Sequence, residues 1–209
     1  MPDRNPTPVR FDGQPLTIED IVALAHRQRP AALGDSEPLR QRIQAGADFL
    51  DRVLAEDGVI YGVTTGYGDS CTVSIPSGLA LELPQRLYTY HGCGAGALLT
   101  REQTRAVLAT RLNSLVQGYS GVSWRLLQQL AGLLQHDLLP RIPSEGSVGA
   151  SGDLTPLSYV AAVLCGEREV WNGADGKPAA DALAAAGLTP LKLRPKEGLA
   201  VMNGTAVMT

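Results

Sequence analysis

Gly146-Ser147-Val148-Gly149-Ala150-Ser151-Gly152-Asp153 is the stretch on which the reading of this chain turns. It is too rich in glycine for the interior of a helix or strand, where each glycine carries extra backbone entropy that folding must remove. A leucine-rich helical pattern gives way to Pro140 and Pro143 before it, and Pro156, suited to a helix's first turn, follows it. Ala150-Ser151-Gly152 has a chemistry of its own. A glycine nitrogen, with no Cβ beside it, can approach a carbonyl two residues upstream if the chain bends tightly, and small Ala150 leaves that carbonyl accessible. Cyclisation of that nitrogen onto the carbonyl, which expels its oxygen as one water, and loss of the Ser151 hydroxyl as a second water would leave a five-membered ring bearing an exposed methylidene carbon. No ordinary side chain supplies such an electrophile. Taken alone, the tripeptide reads first as a plain turn.

Outward from this turn the pattern is mainly α, with a few short strands. Thr17 with Asp20 opens a helix that puts Ile18, Ile21, Val22 and Ala25 on one face. Ser36, followed by Pro38, opens another to about Ala55, its apolar side marked by Leu39, Ile43, Leu50, Val53 and Leu54. Part of Pro84 to Tyr90 is helical and stops at Gly92, Gly94 and Gly96. Thr100 and Gln103 form a capping box for a helix through Leu108, Leu112 and Leu115, ended by Gly118. Ser123 precedes a helix that Pro140 and Pro143 end, and Pro156 to Cys165 forms the next. Val9 to Leu16, around Asp12-Gly13, reads as a small hairpin, and Val59 to Pro76 as an irregular loop. Arg168 to Lys196 reads as an excursion with a turn at Gly173 to Gly176 and an alanine-rich helix. A short last helix ends near Asn203-Gly204.

The 209 residues are 44% hydrophobic and 19% charged, enough apolar content for a core. A net charge of −3 with no basic run argues against nucleic acid as a partner. No apolar stretch reaches the length of a membrane span, and Met1-Pro2-Asp3-Arg4 does not begin a signal peptide. Cys71, Cys93 and Cys165 fit neither a disulfide framework nor a zinc site, and His26, His91 and His136 are scattered. The expectation is a cytoplasmic protein without a metal. The chain stops at Val207-Met208-Thr209 without a polar tail and reads as cut short.

The string from Gly146 to Leu154, followed by Pro156-Leu157, resembles the signature of the aromatic amino acid ammonia-lyases. These histidine, phenylalanine and tyrosine enzymes carry a self-made methylidene-imidazolone (MIO). Four further blocks lie in the order the family implies. Tyr61-Gly62-Val63-Thr64-Thr65-Gly66-Tyr67-Gly68 is similar to its tyrosine loop, though Thr65 and Asp69 depart from the usual wording. Arg111 to Val122 is similar to its buried helix and turn, and Pro140 to Pro143 precedes the signature. Lys196-Glu197-Gly198-Leu199-Ala200 leads to Met202-Asn203-Gly204-Thr205.

The resemblance implies the N-terminal MIO-bearing part of the helical ammonia-lyase fold over residues 1–209, without the later helical-bundle half. By the same resemblance Ala150, Ser151 and Gly152 become the electrophile, and Tyr61 removes the substrate's β-proton. That task needs a phenol pKa lowered from about 10 by positive potential. Asn203 hydrogen-bonds near the MIO or the substrate's polar end. The substrate amine attacks the methylidene, and loss of the β-proton and of ammonia gives an α,β-unsaturated acid.

Tyr90 and His91, ahead of Gly92-Cys93-Gly94, stand where the family selects the substrate ring. A histidine at the second position is similar to the histidine lyases, while Tyr90 departs from their small serine. Histidine or a tyrosine-like substrate is therefore favoured over phenylalanine. Partners implied are a small amino acid and further copies of the chain in a homotetramer. Two alternatives stay open: an MIO-dependent 2,3-aminomutase, or an inactive truncated fragment of the lyase. Gly92-x-Gly94-x-Gly96 lacks both the spacing and the preceding strand of a dinucleotide loop.

Overall fold

The computed structural model describes residues 6–56 and 58–209. In chain order these form β1 (Val9–Phe11), α1 (Ile18–Ala25), β2 (Ala31–Leu33), α2 (Glu37–Ala55), α3 (Ser77–Ala80) and α4 (Leu83–Tyr90). There follow β3 (Ala95–Leu98), α5 (Arg101–Leu115), α6 (Trp124–Gln135), β4 (Pro143–Glu145) and α7 (Leu154–Leu164). The last are β5 (Glu169–Asn172), β6 (Asp175–Pro178), α8 (Ala179–Ala185) and α9 (Glu197–Met202), with 3-10 turns at Gly68–Thr72 and Gly149–Ser151. The architecture is mainly α, as the sequence predicts.

Helix starts follow local chemistry. Thr17 and Thr100 each close a capping box, accepting from the amides of Asp20 and Gln103 at 3.2 Å. The core gathers Leu108, Leu112 and Leu115 of α5 with Leu126, Leu127, Leu130 and Leu133 of α6, all fully buried. Helix α7 has no charged residue and is buried over nearly all its circumference, from Pro156 to Leu164 with only Tyr159 partly outside. A helix apolar all round belongs at the centre. There α7 packs against α4, α8 and α9, so the residues that enter it are held by the middle of the fold.

Several expectations are corrected. The hairpin at Val9 to Leu16 is absent: β1 pairs in parallel with β2, Val9 opposite Ala31 and Phe11 opposite Leu33. This pairing buries Val9 and Phe11, whereas Pro15 has no N–H to donate to a returning strand. Helix α6 stops at Gln135, ahead of the prolines, and Asp137 beyond it turns with φ +56°. Helix α7 begins at Leu154 rather than Pro156. The glycines after His91 lead into β3, which pairs antiparallel with β4. The excursion keeps its expected turn and alanine-rich helix, and the turn, at Gly173-Ala174, closes a hairpin of β5 with β6. Among the described residues no helix is long and apolar enough to cross a membrane.

Candidate active site

The signature forms a tight turn whose end is closed by the Gly152 N–H donating to the Gly149 carbonyl at 2.9 Å. Gly149 and Gly152 adopt φ +62° and +122°, where residues with a side chain are strained. A Cβ built on Gly152 would also run into Asn203 Oδ1. Position 152 is glycine for two independent reasons, its backbone conformation and the approach of Asn203. Ala150 and Ser151 stand exposed at the apex, while Gly152 and Asp153 are buried.

Asp153 ties the turn to the chain's last segment. Its carboxylate, wholly buried, accepts from Ser147 Oγ at 2.5 Å and from the amides of Val207 at 2.7 Å and Met208 at 3.1 Å. Its own N–H donates to the Gly204 carbonyl at 2.7 Å. Asn203 caps the C-terminal end of α9, its N–H donating to the Leu199 carbonyl at 2.8 Å. Arg111, from α5, donates to the carbonyls of Ala200, of Val201 at 2.9 Å and of Asn203 at 3.4 Å. Burial pushes the Arg111 guanidinium down to about 10, and the nearby Asp153 carboxylate opposes that shift.

Tyr61 lies in the irregular loop and is 46% exposed. Its hydroxyl accepts from the Gly68 N–H at 2.8 Å, and its ring stands edge-on to Tyr67, centroids 6.4 Å apart. Burial, and secondarily Tyr61 itself, pushes the Tyr67 phenol up to about 12. The loop is shaped by threonines: the Ile60 N–H donates to Thr64 Oγ1 at 2.8 Å and the Gly62 N–H to Thr65 Oγ1 at 3.1 Å. Gly62 turns with φ +67°, and a Cβ there would come within 2.7 Å of Leu199 in α9. The Tyr61 loop and the signature turn are therefore seated on the same short helix, one at Leu199 and the other at Asn203.

Tyr90 and His91 end α4, their rings perpendicular at 5.2 Å. Tyr90 is 81% exposed; His91 is half-buried, and burial holds its imidazole below the ordinary value. Helix α4 packs on both α7 and α9, and β3 beyond it pairs with β4, setting Ala95 opposite Glu145 at the signature's entrance. The pair thus sits on elements adjoining the turn. Among the described residues no side-chain hydrogen bond joins it to Tyr61, Ser151 or Asn203. A cavity of about 780 Å³ lies behind the Tyr61 loop, lined by Leu54, Thr65, Ile75 and Pro195, away from Ser151. No group of three or more metal-ligating side chains occurs among the described residues.

Sequence reasoning gave no role to Asp153 or Arg111. A signal existed for each. Asp153 is an acid directly after a glycine turn at the mouth of an uncharged helix, and Arg111 is the lone charge among Val107, Leu108, Ala109, Leu112 and Leu115.

The chain belongs to the aromatic amino acid lyase family, whose model matches residues 16–209. Histidine ammonia-lyase of Bos taurus is 41% identical over 202 residues, covering 96% of this chain and 30% of the relative. That of Gloeobacter violaceus is also 41% identical, over 95% of this chain and 38% of the relative. Among solved structures, tyrosine aminomutase from Streptomyces globisporus superposes with a TM-score of 0.89 at 36% identity, covering 97% of this chain and 38% of that one. Histidine ammonia-lyase from Trypanosoma cruzi superposes with a TM-score of 0.84 at 31% identity, covering 97% of this chain and 38% of that one. The chain thus spans about a third of the length of the relatives it matches.

Proposed function

We propose that residues 1–209 are the N-terminal, MIO-bearing part of an ammonia-lyase acting on an aromatic L-amino acid, histidine or a tyrosine-like one, and releasing an α,β-unsaturated acid. The observation that carries this reading is the close approach of Asn203 Oδ1 to Gly152, directly after the exposed Ala150-Ser151 apex. The residues present fit the group: the glycine is required, the serine is accessible and the turn is already tight. Formed from Ala150-Ser151-Gly152, the MIO would supply an electrophilic carbon that makes the substrate amine a better leaving group.

The chain's own side chains divide the remaining work. Tyr61 takes the β-proton at its phenol oxygen, which the Gly68 amide holds in place by donating to it. Asn203 offers its carboxamide beside the turn, for a hydrogen bond to the substrate's polar end. Tyr90 and His91 present two perpendicular rings to the substrate ring, and the polar His91 edge favours a polar aromatic over a plain phenyl group. The later helical half and the other copies of a homotetramer would complete the pocket, in a cytoplasmic setting that suits three unpaired cysteines.

A 2,3-aminomutase is the second reading, favoured by the likeness to tyrosine aminomutase. It uses the same groups up to β-proton removal and returns the amine to the β-carbon. The test is to incubate the intact gene product with histidine, tyrosine and phenylalanine in turn and identify the products. An unsaturated acid from histidine or tyrosine is the expected outcome, and the 209-residue chain alone should give little or none. A β-amino acid would replace the lyase reading with the mutase. No product from any of the three would overturn both.

A further inference from the structure

We propose that Arg111 is a positioning residue that sets Asn203 against the signature turn, an inference that rests on the lyase reading above. A buried guanidinium is expensive to desolvate and is normally repaid by a carboxylate in direct contact. Arg111 is 5% exposed, and no carboxylate among the described residues forms an ion pair with it. Its donors go instead to the carbonyls of Ala200, Val201 and Asn203, with Ser114 Oγ a long fourth acceptor at 3.5 Å. These belong to the end of α9, where a helix leaves its last carbonyls without partners and carries partial negative charge. Helix α9 has six residues, too few to hold its own shape by backbone bonds.

Two further observations support the assignment. A Cβ at Gly204 would run into Arg111 Nη1, so glycine there is what admits the guanidinium. The Asp153 N–H also holds the Gly204 carbonyl, at 2.7 Å. The segment from Ala200 to Gly204 is thereby gripped between α5 and the signature. Arg111 holds the backbone carbonyl of Asn203 at 3.4 Å, and the exposed Asn203 side chain lies over Gly152, where only the missing Cβ leaves room for its Oδ1. A planar fork can serve several carbonyls at once; a lysine ammonium at the same place is a point charge on a flexible stem.

The test is a double-mutant cycle in the intact gene product with Arg111→Lys, Asn203→Ala and both together. It is read by kcat and KM and by hydrogen exchange over residues 198–205. With Arg111→Lys, kcat should fall about 10- to 100-fold with KM nearly unchanged. Exchange over 198–205 should quicken while that of α5 stays as in wild type. In the Asn203→Ala background, Arg111→Lys should then lower kcat by less than about 2-fold. Losses that multiply, or faster exchange spread evenly over the chain, would mean that Arg111 only stabilises the fold. Should Arg111→Lys fail to fold, Gly204→Ala displaces the guanidinium instead, and the same loss of additivity with Asn203→Ala is expected. A wild type without turnover sinks the lyase reading, while quickened exchange over 198–205 in Arg111→Lys would still uphold the grip on Asn203. Unchanged exchange there in an active enzyme sinks the grip itself.

Discussion

The turn from Gly149 to Gly152 and the loop around Tyr61 are both glycine-rich, yet they are held in opposite ways. The turn is fixed by distant partners: Asp153 reaches Val207 and Met208, 54 and 55 residues on, and lies buried with Gly152. The Tyr61 loop is tied to itself. Its side-chain hydrogen bonds run from Thr64 to Ile60 and Gly58, from Thr65 to Gly62, and from Tyr61 to Gly68, the widest spanning seven residues. Long-range bonds hold a shape only when the whole fold is present, whereas local ones give a shape of their own with little depth. The shape of the proposed electrophile therefore depends on distant partners, while the proposed base sits on a loop that is tied locally and then seated on α9 through Gly62.

The largest effect that sharpens this contrast is on rate alone. Tyr61→Phe removes the hydroxyl from an exposed ring, so the fold should keep its stability within about 1 kcal/mol. Turnover should fall about 10²- to 10⁴-fold, the usual contribution of a positioned base. Denaturant unfolding beside steady-state kinetics checks both halves, and a variant that keeps wild-type kcat would remove Tyr61 from the reaction. Next comes an effect on the fold. Asp153→Asn puts an NH2 or a neutral oxygen where a buried carboxylate accepts from Ser147, Val207 and Met208. We expect a loss of about 2–4 kcal/mol in denaturant unfolding, the range for unmaking buried charged hydrogen bonds. A change under about 0.5 kcal/mol would show that the turn is not held from this side.

What could be read in the sequence was local. The capping boxes at Thr17 and Thr100 and the glycine turn each lie within a few residues, and their geometry follows from composition at fixed offsets. The parallel pairing of Val9–Phe11 with Ala31–Leu33 was not legible, because turn chemistry at Asp12-Gly13 favours a hairpin and only burial decides against it. Arg111 and Asp153 were visible as odd charges, but the partners that tie them to the chain's last segment lie 89 to 92 residues from Arg111 and 54 to 55 from the Asp153 carboxylate. Tyr90 and His91 were placed through their resemblance to a specificity pair, and their perpendicular packing depends on where α4 ends.

The smallest effect concerns that pair. Burial holds the His91 imidazole below its ordinary 6.5, so as pH falls the unfolded chain takes up this proton first. The contribution of His91 is therefore complete above about 6.5 and is lost as pH falls from there through the folded value. Melting temperatures measured from about pH 7.5 to 5 should decline, and His91→Gln should decline slightly less steeply. Parallel curves for the two proteins would mean that His91 does not sense its burial.

The most direct measurement is the intact mass of the purified protein beside a Ser151→Ala control. A wild-type mass two waters below the encoded value, absent from the control, is the expected result and would show that Ala150-Ser151-Gly152 closes into the electrophile. An unshifted mass in an intact gene product that is folded would contradict the proposed chemistry of this turn.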